Sequence, residues 1–347
     1  MIDLISNLLT PYVPLIIGVI KAGVIAVLLL TAVPLLVWLE RRLMGRFQVR
    51  LGPNRVGPFG LAQPLSDAIK LLFKESIIQN SADKFLFILA PAVVVFTAIV
   101  TFAAIPFGAP FKIFDHEVGL WVSNINMGLL FVFAVSSMGI YGIVLAGLSS
   151  NNKYSLMGGL RSSAQMISYE LTLGLAALGV IVMSGSLNLR EIVDGQKDLP
   201  YILTQPLAFI LFYIAGIAET NRAPFDLPEA EQELVAGFHT EYSGMKFAMF
   251  FMGEYINMIT MSSMVTVLFL GGWHTYLIHM PSFLSIVGPV VVFVSKVFVL
   301  LCVFIWLRST FPRIRYDRLM TFGWKVLVPL ALLNLVLTSS FKVLRMM

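Results

Sequence analysis

The sequence predicts an all-α membrane protein that crosses the bilayer about eight times, and two observations carry this prediction. First, 58% of the 347 residues are hydrophobic and only 12% are charged, which is typical of chains whose solvent is mostly lipid. Second, eight apolar segments have the roughly 17–25 residues that a helix needs to span a bilayer. These segments lie near 14–39, 85–105, 125–148, 164–184, 201–218, 247–271, 284–307 and 325–341. We treat residues 1–347 as a single integral membrane domain.

The basic residues predict the orientation of these spans. The loops at 40–84, 149–163, 219–246 and 308–324, together with Lys325, carry 17 of the 24 Lys and Arg residues, whereas the opposite loops and the tails carry five. Because Lys and Arg concentrate in cytoplasmic loops, we expect these four loops to be cytoplasmic and both termini periplasmic. The net charge of +5 then indicates contact with anionic lipid rather than with nucleic acid.

One short segment in the first basic loop is amphipathic. The stretch PLSDAIKLLFKE (64–75) places Leu65, Ile69, Leu72 and Phe73 on one helical face. Twelve residues are too few to span a bilayer, so we expect a short interfacial helix on the cytoplasmic side. The glycine- and proline-rich loop before it is typical of a backbone with an imposed shape.

The sequence excludes several kinds of chemistry. The single cysteine, Cys302, excludes an intrachain disulfide and a cysteine-ligated iron–sulfur cluster, which takes about four thiolates. Neither a glycine-rich nucleotide-binding motif nor a zinc-hydrolase motif is present. The four histidines all fall in predicted loops, which argues against a haem held within the spans. We expect this chain to bind no metal and no redox cofactor of its own.

Ionisable residues within the spans are the first functional candidates. A charged group at the centre of a membrane helix costs about 2.5–3.5 kcal/mol on insertion scales, and such groups usually mark ion or proton paths. Each also has a structural alternative: a lone glutamate can serve only as a hydrogen-bond partner between helices, and a lysine near a helix end can reach out to the interface. These candidates are Glu170, Glu254, Lys21 and Lys296, with Glu40 and Glu219 at the inner ends of their helices.

Residues 218–244, AETNRAPFDLPEAEQELVAGFHTEYSG, hold six of the chain's 19 acids. The plain interpretation is a solvated acidic loop. The alternative is a docking or proton-conducting surface, for which Arg46, Arg50 and Arg55 of the first basic loop are candidate ion-pair partners.

Four stretches taken in order resemble a known family. They are ERRLMGRFQVRLGPNRVGPFGLAQPLSDAIKLLFKE, RSSAQMISYELTLG, ETNRAPFDLPEAEQELVAGFHTEYSG and RSTFPRIRYDRLM. Together they resemble the H-subunit family of proton-translocating NADH:quinone oxidoreductase, respiratory complex I, whose mitochondrial counterpart is NADH dehydrogenase subunit 1. The resemblance runs from about residue 38 to about residue 341.

The resemblance implies a role for each candidate residue. The acidic loop would pack against the soluble arm and help to form the quinone chamber, and buried carboxylates would begin a proton path. The proton-transfer residues would be Glu40, Glu170, Glu219 and Glu254. The acids between chamber and path would be Asp226, Glu229, Glu231 and Glu233. The chamber and its entrance would include Arg41, Arg50, Arg222, Phe225, Lys296 and Arg308.

The resemblance also implies partners and a location. The enzyme would be a translocase, an H⁺-translocating NADH:quinone reductase, with a quinone such as ubiquinone as substrate and with FMN and iron–sulfur clusters in partner subunits. The soluble quinone-site and iron–sulfur subunits would lie on the cytoplasmic loops, and small and antiporter-like membrane subunits would lie laterally. We expect the bacterial inner (plasma) membrane, with the mitochondrial inner membrane as the alternative.

Two other functions remain open from the sequence. A related membrane subunit of a membrane-bound hydrogenase would share many of these helices without using a quinone. A self-sufficient ion-coupled transporter would be expected to show internal repeats with paired broken helices, and the sequence shows no such repeat.

Overall fold

A computed structural model describes residues 13–113, 116–226, 235–276 and 287–346. In these ranges the protein is a bundle of helices, apart from two short antiparallel strands in which Phe111 pairs with Val118. The predicted class, an all-α polytopic membrane protein, is confirmed.

The helices fall into long and short elements. The long helices are α1 (Val13–Phe47), α3 (Lys84–Thr101), α4 (Gly128–Ser149), α5 (Lys153–Ser184), α8 (Pro206–Glu219), α9 (Gly244–Phe269), α10 (Val287–Thr310) and α12 (Val328–Met346). The short helices are α2 (Gln63–Phe73), α6 (Leu189–Asp194), α7 (Tyr201–Thr204) and α11 (Tyr316–Phe322). Three 3₁₀ turns cover Pro58–Gly60, Phe102–Ala104 and Gly237–His239, and a π-helical turn at Gly323–Leu327 joins α11 to α12. The two strands are β1 (Phe111–Ile113) and β2 (His116–Val118).

Within the described ranges, six helices are long and apolar enough to cross a membrane: α1, α3, α4, α5, α10 and the continuous α11–α12 rod. Two of the eight predicted spans differ from these. Helix α8 has only 14 residues, and the 26-residue helix α9 carries four buried Thr and Ser residues between Thr260 and Thr266. Because protein rather than lipid surrounds most of α9, it can carry polar side chains that a lipid-facing helix would have to exclude.

Local chemistry explains where several helices begin. The Asp83 side chain accepts hydrogen bonds from the backbone N–H groups of Phe85 (3.1 Å) and Leu86 (3.3 Å) at the start of α3. This satisfies two of the amide groups that a helix N-terminus leaves without partners. The predicted span 201–218 is divided between α7 and α8 because Pro206 cannot donate a backbone hydrogen bond and disfavours a helical residue before it.

Helix α5 contacts α4, α8 and α12, and α9 contacts α1, α2, α3 and α10. The close approach of α4 and α9 to α3 depends on two glycines. A Cβ at Gly142 or at Gly253 would lie 2.5 Å from a methyl group of Val94. Because Gly253 immediately precedes Glu254, this contact fixes how close Glu254 lies to α3.

The four loops predicted to be cytoplasmic lie together at one end of the bundle, which we call the basic end. Glu241 accepts hydrogen bonds from Gln79 (2.5 Å) and Asn152 (2.7 Å), so one carboxylate joins three of these loops. The fourth loop is joined by the backbone hydrogen bond from Ile314 to Pro224 (3.2 Å). This end of the molecule therefore positions the candidate site.

Candidate functional site

A cavity of about 540 Å³ lies between α1, α2 and α9 near the basic end. Most of its wall is apolar and comes from side chains such as Val37, Met44, Leu72 and Phe251. One side carries polar and charged groups from five separate parts of the chain. These are Glu40, Arg41, Asp67, Arg222, Tyr255 and Arg308. The cavity therefore joins a long apolar surface to a charged one.

Glu40 is the centre of the charged side. It is only 3% exposed and accepts a hydrogen bond of 2.6 Å from the Tyr255 hydroxyl. Its other carboxylate oxygen faces Arg222 at 3.4 Å and also accepts a hydrogen bond from Arg308. A buried carboxylate with two guanidinium partners and a hydroxyl donor is held as an anion.

Arg222 links two carboxylates. Its Nη1 atom faces Glu40, its Nε atom lies 3.7 Å from Glu254, and its guanidinium group lies 4.2 Å from the centre of the Tyr255 ring. Burial alone would lower the pKa of the Arg222 guanidinium, but Tyr255, Glu40 and Glu254 raise this pKa above its ordinary value. Arg222 is thus a permanent cation that joins α1 to α9.

Beyond Glu254 the polar groups continue into the bundle. A small enclosed space of about 20 Å³ has Glu254, Glu219, Asn221 and Asn257 in its lining, which is room for about one water molecule. Glu170 on α5 lies close enough to Glu219, the last residue of α8, for the two charges to interact. Three carboxylates from three helices therefore follow one another away from the cavity.

The last of these carboxylates reaches the lateral surface of the bundle. Glu170 accepts a hydrogen bond from Ser137 of α4 and lies in the wall of a second, open groove of about 550 Å³. The rest of that wall is apolar and includes Leu130, Ile167 and Trp324. We call the residues from Glu40 through Arg222, Glu254 and Glu219 to Glu170 the charged row. It runs from the first cavity to a groove on another face of the bundle.

Two side chains from other parts of the chain, Gln165 and Arg313, hold the loop that carries Arg222. The Gln165 side chain of α5 donates hydrogen bonds to the backbone oxygens of Ala218 (2.8 Å) and Phe225 (2.9 Å). One residue further on, Asp226 pairs with Arg313 at 3.2 Å. Since Asp226 is 5% exposed, it is not part of a solvated acidic face.

The amphipathic helix α2 forms one wall of the cavity and is tied to α1. Arg41 and Asp67 form an ion pair at 2.5 Å, and the Trp38 indole donates a hydrogen bond of 3.1 Å to the Phe59 backbone oxygen. Both contacts lie next to Glu40 on α1, so they set the width of the cavity on that side.

Comparisons with known proteins show the family of this chain. The model of a family described as NADH dehydrogenase matches residues 20–339. This chain belongs to the NADH dehydrogenase family. It is 51% identical over 335 residues to the H subunit of the NADH-quinone oxidoreductase of Syntrophotalea carbinolica, covering 95% of this chain and 98% of that protein. It is 52% identical over 318 residues to the H subunit numbered 2 of Syntrophobacter fumaroxidans (92% and 93%), and 48% identical over 345 residues to the H subunit of Paramagnetospirillum magneticum (98% and 96%). The resemblance read from the sequence motifs is confirmed.

The structure of this NADH dehydrogenase family member brings many of the candidate residues together. Along the row from cavity to groove lie Glu40, Arg41, Arg222, Arg308, Glu254, Glu219 and Glu170. Asp226 lies beside the row in the supporting loop. Glu229, Glu231 and Glu233 lie outside the described residues.

Three candidates lie elsewhere. Arg50 is exposed and donates a hydrogen bond to Gln48 (2.7 Å). Phe225 packs against Tyr169, with ring centres 6.0 Å apart, and is not in the cavity lining. Lys296 donates hydrogen bonds of 2.7, 2.9 and 2.8 Å to the backbone oxygens of Leu270, Gly272 and His274.

Lys296 is thus placed at the opposite end of α9 from the cavity. It lies twelve residues before Arg308 on α10, or about 18 Å along the helix axis. All three of its N–H groups are used in closing the C-terminal end of α9. The structure therefore does not bring Lys296 and Arg308 together.

Sequence reasoning missed three residues of the site. Tyr255 donates to Glu40, Asp67 holds Arg41, and His239 lies 3.7 Å from Glu254. Tyr255 immediately follows Glu254, so two adjacent polar residues in an apolar run were an available signal. Asp67 and His239 carried no such signal because their partners are distant in sequence.

Proposed function

We propose that this chain is the membrane subunit of an NADH:quinone oxidoreductase, in which it forms the quinone chamber and couples quinone reduction to proton movement. The observation that carries the proposal is the cavity between α1, α2 and α9, whose apolar wall ends at a buried row of charges. The names of the relatives supply the reaction, and the cavity supplies a place for its lipophilic substrate.

The chemistry of the cavity suits a quinone. Its volume lies in the range of about 300–1,000 Å³ that is usual for ligand sites. The apolar wall matches an isoprenoid tail, and the polar side offers the hydroxyl of Tyr255 and the guanidinium groups of Arg41 and Arg308 to a carbonyl-bearing head group. Glu40 lies behind these donors as their counter-charge.

The row of charged groups supports the coupling part of the proposal. Quinone reduction adds electrons and protons at the cavity, which changes the charge that Glu40 and Arg222 experience. Because Arg222 contacts both Glu40 and Glu254, a charge change at one carboxylate acts on the other. The row then continues through Glu219 to Glu170 at the lateral groove, where antiporter-like partner subunits would receive the signal.

Electrons must reach the cavity from elsewhere. A single cysteine cannot ligate an iron–sulfur cluster. We therefore assign FMN and the clusters to partner subunits that bind at the basic end. We further propose that the basic end faces the cytoplasm of a bacterial cell and that both termini face the periplasm, because Lys and Arg favour the cytoplasmic side.

Two adjacent residues of α2 allow a matched test. Leu72 is in the cavity lining, whereas Phe73 is 87% exposed and is not. In membranes that contain the assembled complex, Leu72→Ser should raise the KM for a long-tailed quinone about three- to tenfold, since each methylene removed from contact is worth about 0.8 kcal/mol. Phe73→Ser should leave that KM unchanged.

Ferricyanide, which accepts electrons upstream, serves as the control acceptor, and its reduction should be equal in both variants. If Leu72→Ser and Phe73→Ser gave the same KM for both long- and short-tailed quinones, the cavity would not hold the quinone tail. Quinone reduction coupled to NADH, rather than to hydrogen, separates this function from that of a membrane-bound hydrogenase.

A further inference from the structure

The break between α7 and α8 carries a buried polar side chain that the proposed function does not use. At Gln205 the backbone leaves helical geometry, with φ −136° and ψ 58°. The Gln205 side chain is 3% exposed, and its Nε2 atom donates a hydrogen bond of 2.9 Å to the backbone oxygen of Gly179 on α5. Its Oε1 atom has no hydrogen-bond partner among the described residues.

A second polar atom faces the same place from α12. Asn334 is 6% exposed, and its Nδ2 atom also has no hydrogen-bond partner within the part of the chain that the structure describes. The two atoms converge at Gly179, because a Cβ built there would lie 2.9 Å from Oε1 of Gln205 and 3.1 Å from Nδ2 of Asn334. These two atoms are therefore at most about 6 Å apart.

The two atoms are chemically complementary. An amide oxygen accepts hydrogen bonds, and an amide nitrogen donates them. The orientation of the Gln205 amide is fixed, because only its nitrogen can donate to the Gly179 oxygen. A water molecule can donate to Gln205 and accept from Asn334 at the same time. Since each hydrogen bond measures about 2.7–3.2 Å, one water oxygen can bridge a gap of up to roughly 6 Å.

The location makes an unsatisfied pair costly. Gln205 and Asn334 lie within the segments 201–218 and 325–341, which the sequence predicts as spans. A broken helix at this depth is tolerated where protein groups or ordered water supply the missing hydrogen bonds. The N–H donor of Asn334 disfavours a hard metal cation, which prefers oxygen ligands, and the oxygen of Gln205 disfavours an anion. A neutral ligand that both donates and accepts fits the two atoms.

We propose that one water molecule is bound between Oε1 of Gln205 and Nδ2 of Asn334, where it joins α12 to the break between α7 and α8. The site is separate from the charged row, because Gly179 lies nine residues beyond Glu170 on α5, or about 13 Å along the helix axis. The water fixes how α12 lies against α5 and α8 without taking part in quinone binding.

A cryo-EM map of the assembled complex, at a resolution that shows ordered water, tests the site directly. We expect a density peak about 2.7–3.2 Å from both Oε1 of Gln205 and Nδ2 of Asn334. A direct hydrogen bond between the two amides would overturn the proposal. A peak surrounded by six or more oxygen atoms at about 2.3–2.6 Å would also overturn it, because that geometry is typical of a metal ion.

Two substitutions of one residue provide an independent test. Asn334→Leu keeps the size of the side chain but removes the donor, so Oε1 of Gln205 loses its bridge. The temperature at which half of the heated complex dissociates on a native gel should fall by about 2–4 °C. Asn334→Gln carries its amide one methylene further, so that its nitrogen can replace the water. We expect this variant to stay within about 1 °C of the wild type.

Thr338→Val is the matched control on α12. The Thr338 hydroxyl donates only to the backbone oxygen of Asn334 in its own helix, at 2.7 Å, so this variant should leave the midpoint unchanged. Equal losses in Asn334→Leu and Asn334→Gln would mean that the two amides already touch, and no loss in Asn334→Leu would mean that nothing bridges them. If Asn334→Leu fails to assemble, the map of the wild-type complex decides. All assembled variants should keep the wild-type quinone KM, so failure here is distinct from failure of the quinone cavity.

Discussion

Arg222 is the residue on which the charged row depends most directly, and Arg222→Met is its sharpest test. The substitution keeps an unbranched side chain of similar length but removes the cation between Glu40 and Glu254. At separations of 3.4 and 3.7 Å, each attraction amounts to roughly 4–5 kcal/mol with an effective dielectric constant near 20, before desolvation is subtracted. The net cost of removing one partner from a buried ion pair is about 3–5 kcal/mol.

This cost predicts the size of the kinetic effect. If turnover needs both carboxylates in their present charge states, 3 kcal/mol added to the barrier lowers the rate about 100-fold, since roughly 1.4 kcal/mol is a factor of ten. Arg222→Lys keeps the charge, but an ammonium group cannot present the planar fork that faces two carboxylates. We expect this variant to fall between the wild type and Arg222→Met.

The assay compares quinone-dependent NADH oxidation with ferricyanide reduction in the same membranes, with assembly checked on a native gel. Ferricyanide reduction should stay within about twofold of the wild type, because electrons reach it before the quinone cavity. Arg315→Met is the matched control. Arg315 faces Asp317 at 3.8 Å with both side chains more than 70% exposed, and exposed pairs contribute about 0–1 kcal/mol. A wild-type quinone rate in assembled Arg222→Met would refute the reasoning.

Three further predictions concern other parts of the molecule. In a background with Cys302 replaced by Ser, Ser81→Cys should react with an impermeant maleimide only in inside-out vesicles, and Asp198→Cys should react only from the periplasmic side. The reverse labelling pattern would show that the predicted orientation is wrong. Lys296→Met should lower the thermal midpoint of the purified complex by several degrees without changing the quinone KM, because three backbone oxygens lose their donor. Lys21→Met, which frees only the Gly119 oxygen, should lower it less, and equal midpoints would contradict the capping role. Glu219→Gln and Asp226→Asn should each lower quinone reduction and proton uptake by sealed vesicles together. The double variant should lose less activity, in free-energy terms, than the sum of the two single variants. Unchanged rates and pumping in both single variants would show that these acids are not part of the path.

The sequence alone determined the class of the protein and much of its chemistry. Apolar segments of span length require helices, because a backbone in lipid must satisfy its own hydrogen bonds. The cost of burying a charge singled out Glu170 and Glu254 within the spans, together with Glu40 and Glu219 at the inner ends of their helices. The family motifs added Arg222. The prediction of the class is confirmed, because it depends only on local composition and spacing.

Tertiary structure decided which charges meet. Glu40 finds its partners 182, 215 and 268 residues away, in Arg222, Tyr255 and Arg308. No periodicity within α1 specifies which of its neighbours bring those groups. The same limit applies to His239, whose position depends on the contact between its turn and α5.

The two basic residues of α10 also show which information came from the sequence and which came only from the tertiary structure. From the sequence, Lys296 and Arg308 are both cations on one apolar helix, and the family resemblance implies that both belong to the chamber and its entrance. In the folded protein Arg308 reaches Glu40, whereas Lys296 closes the far end of α9. A lysine in an apolar helix donates to backbone oxygens that neighbouring helices leave without a partner at the same depth in the membrane. The position of those oxygens depends on how the helices pack, which the sequence of α10 does not specify.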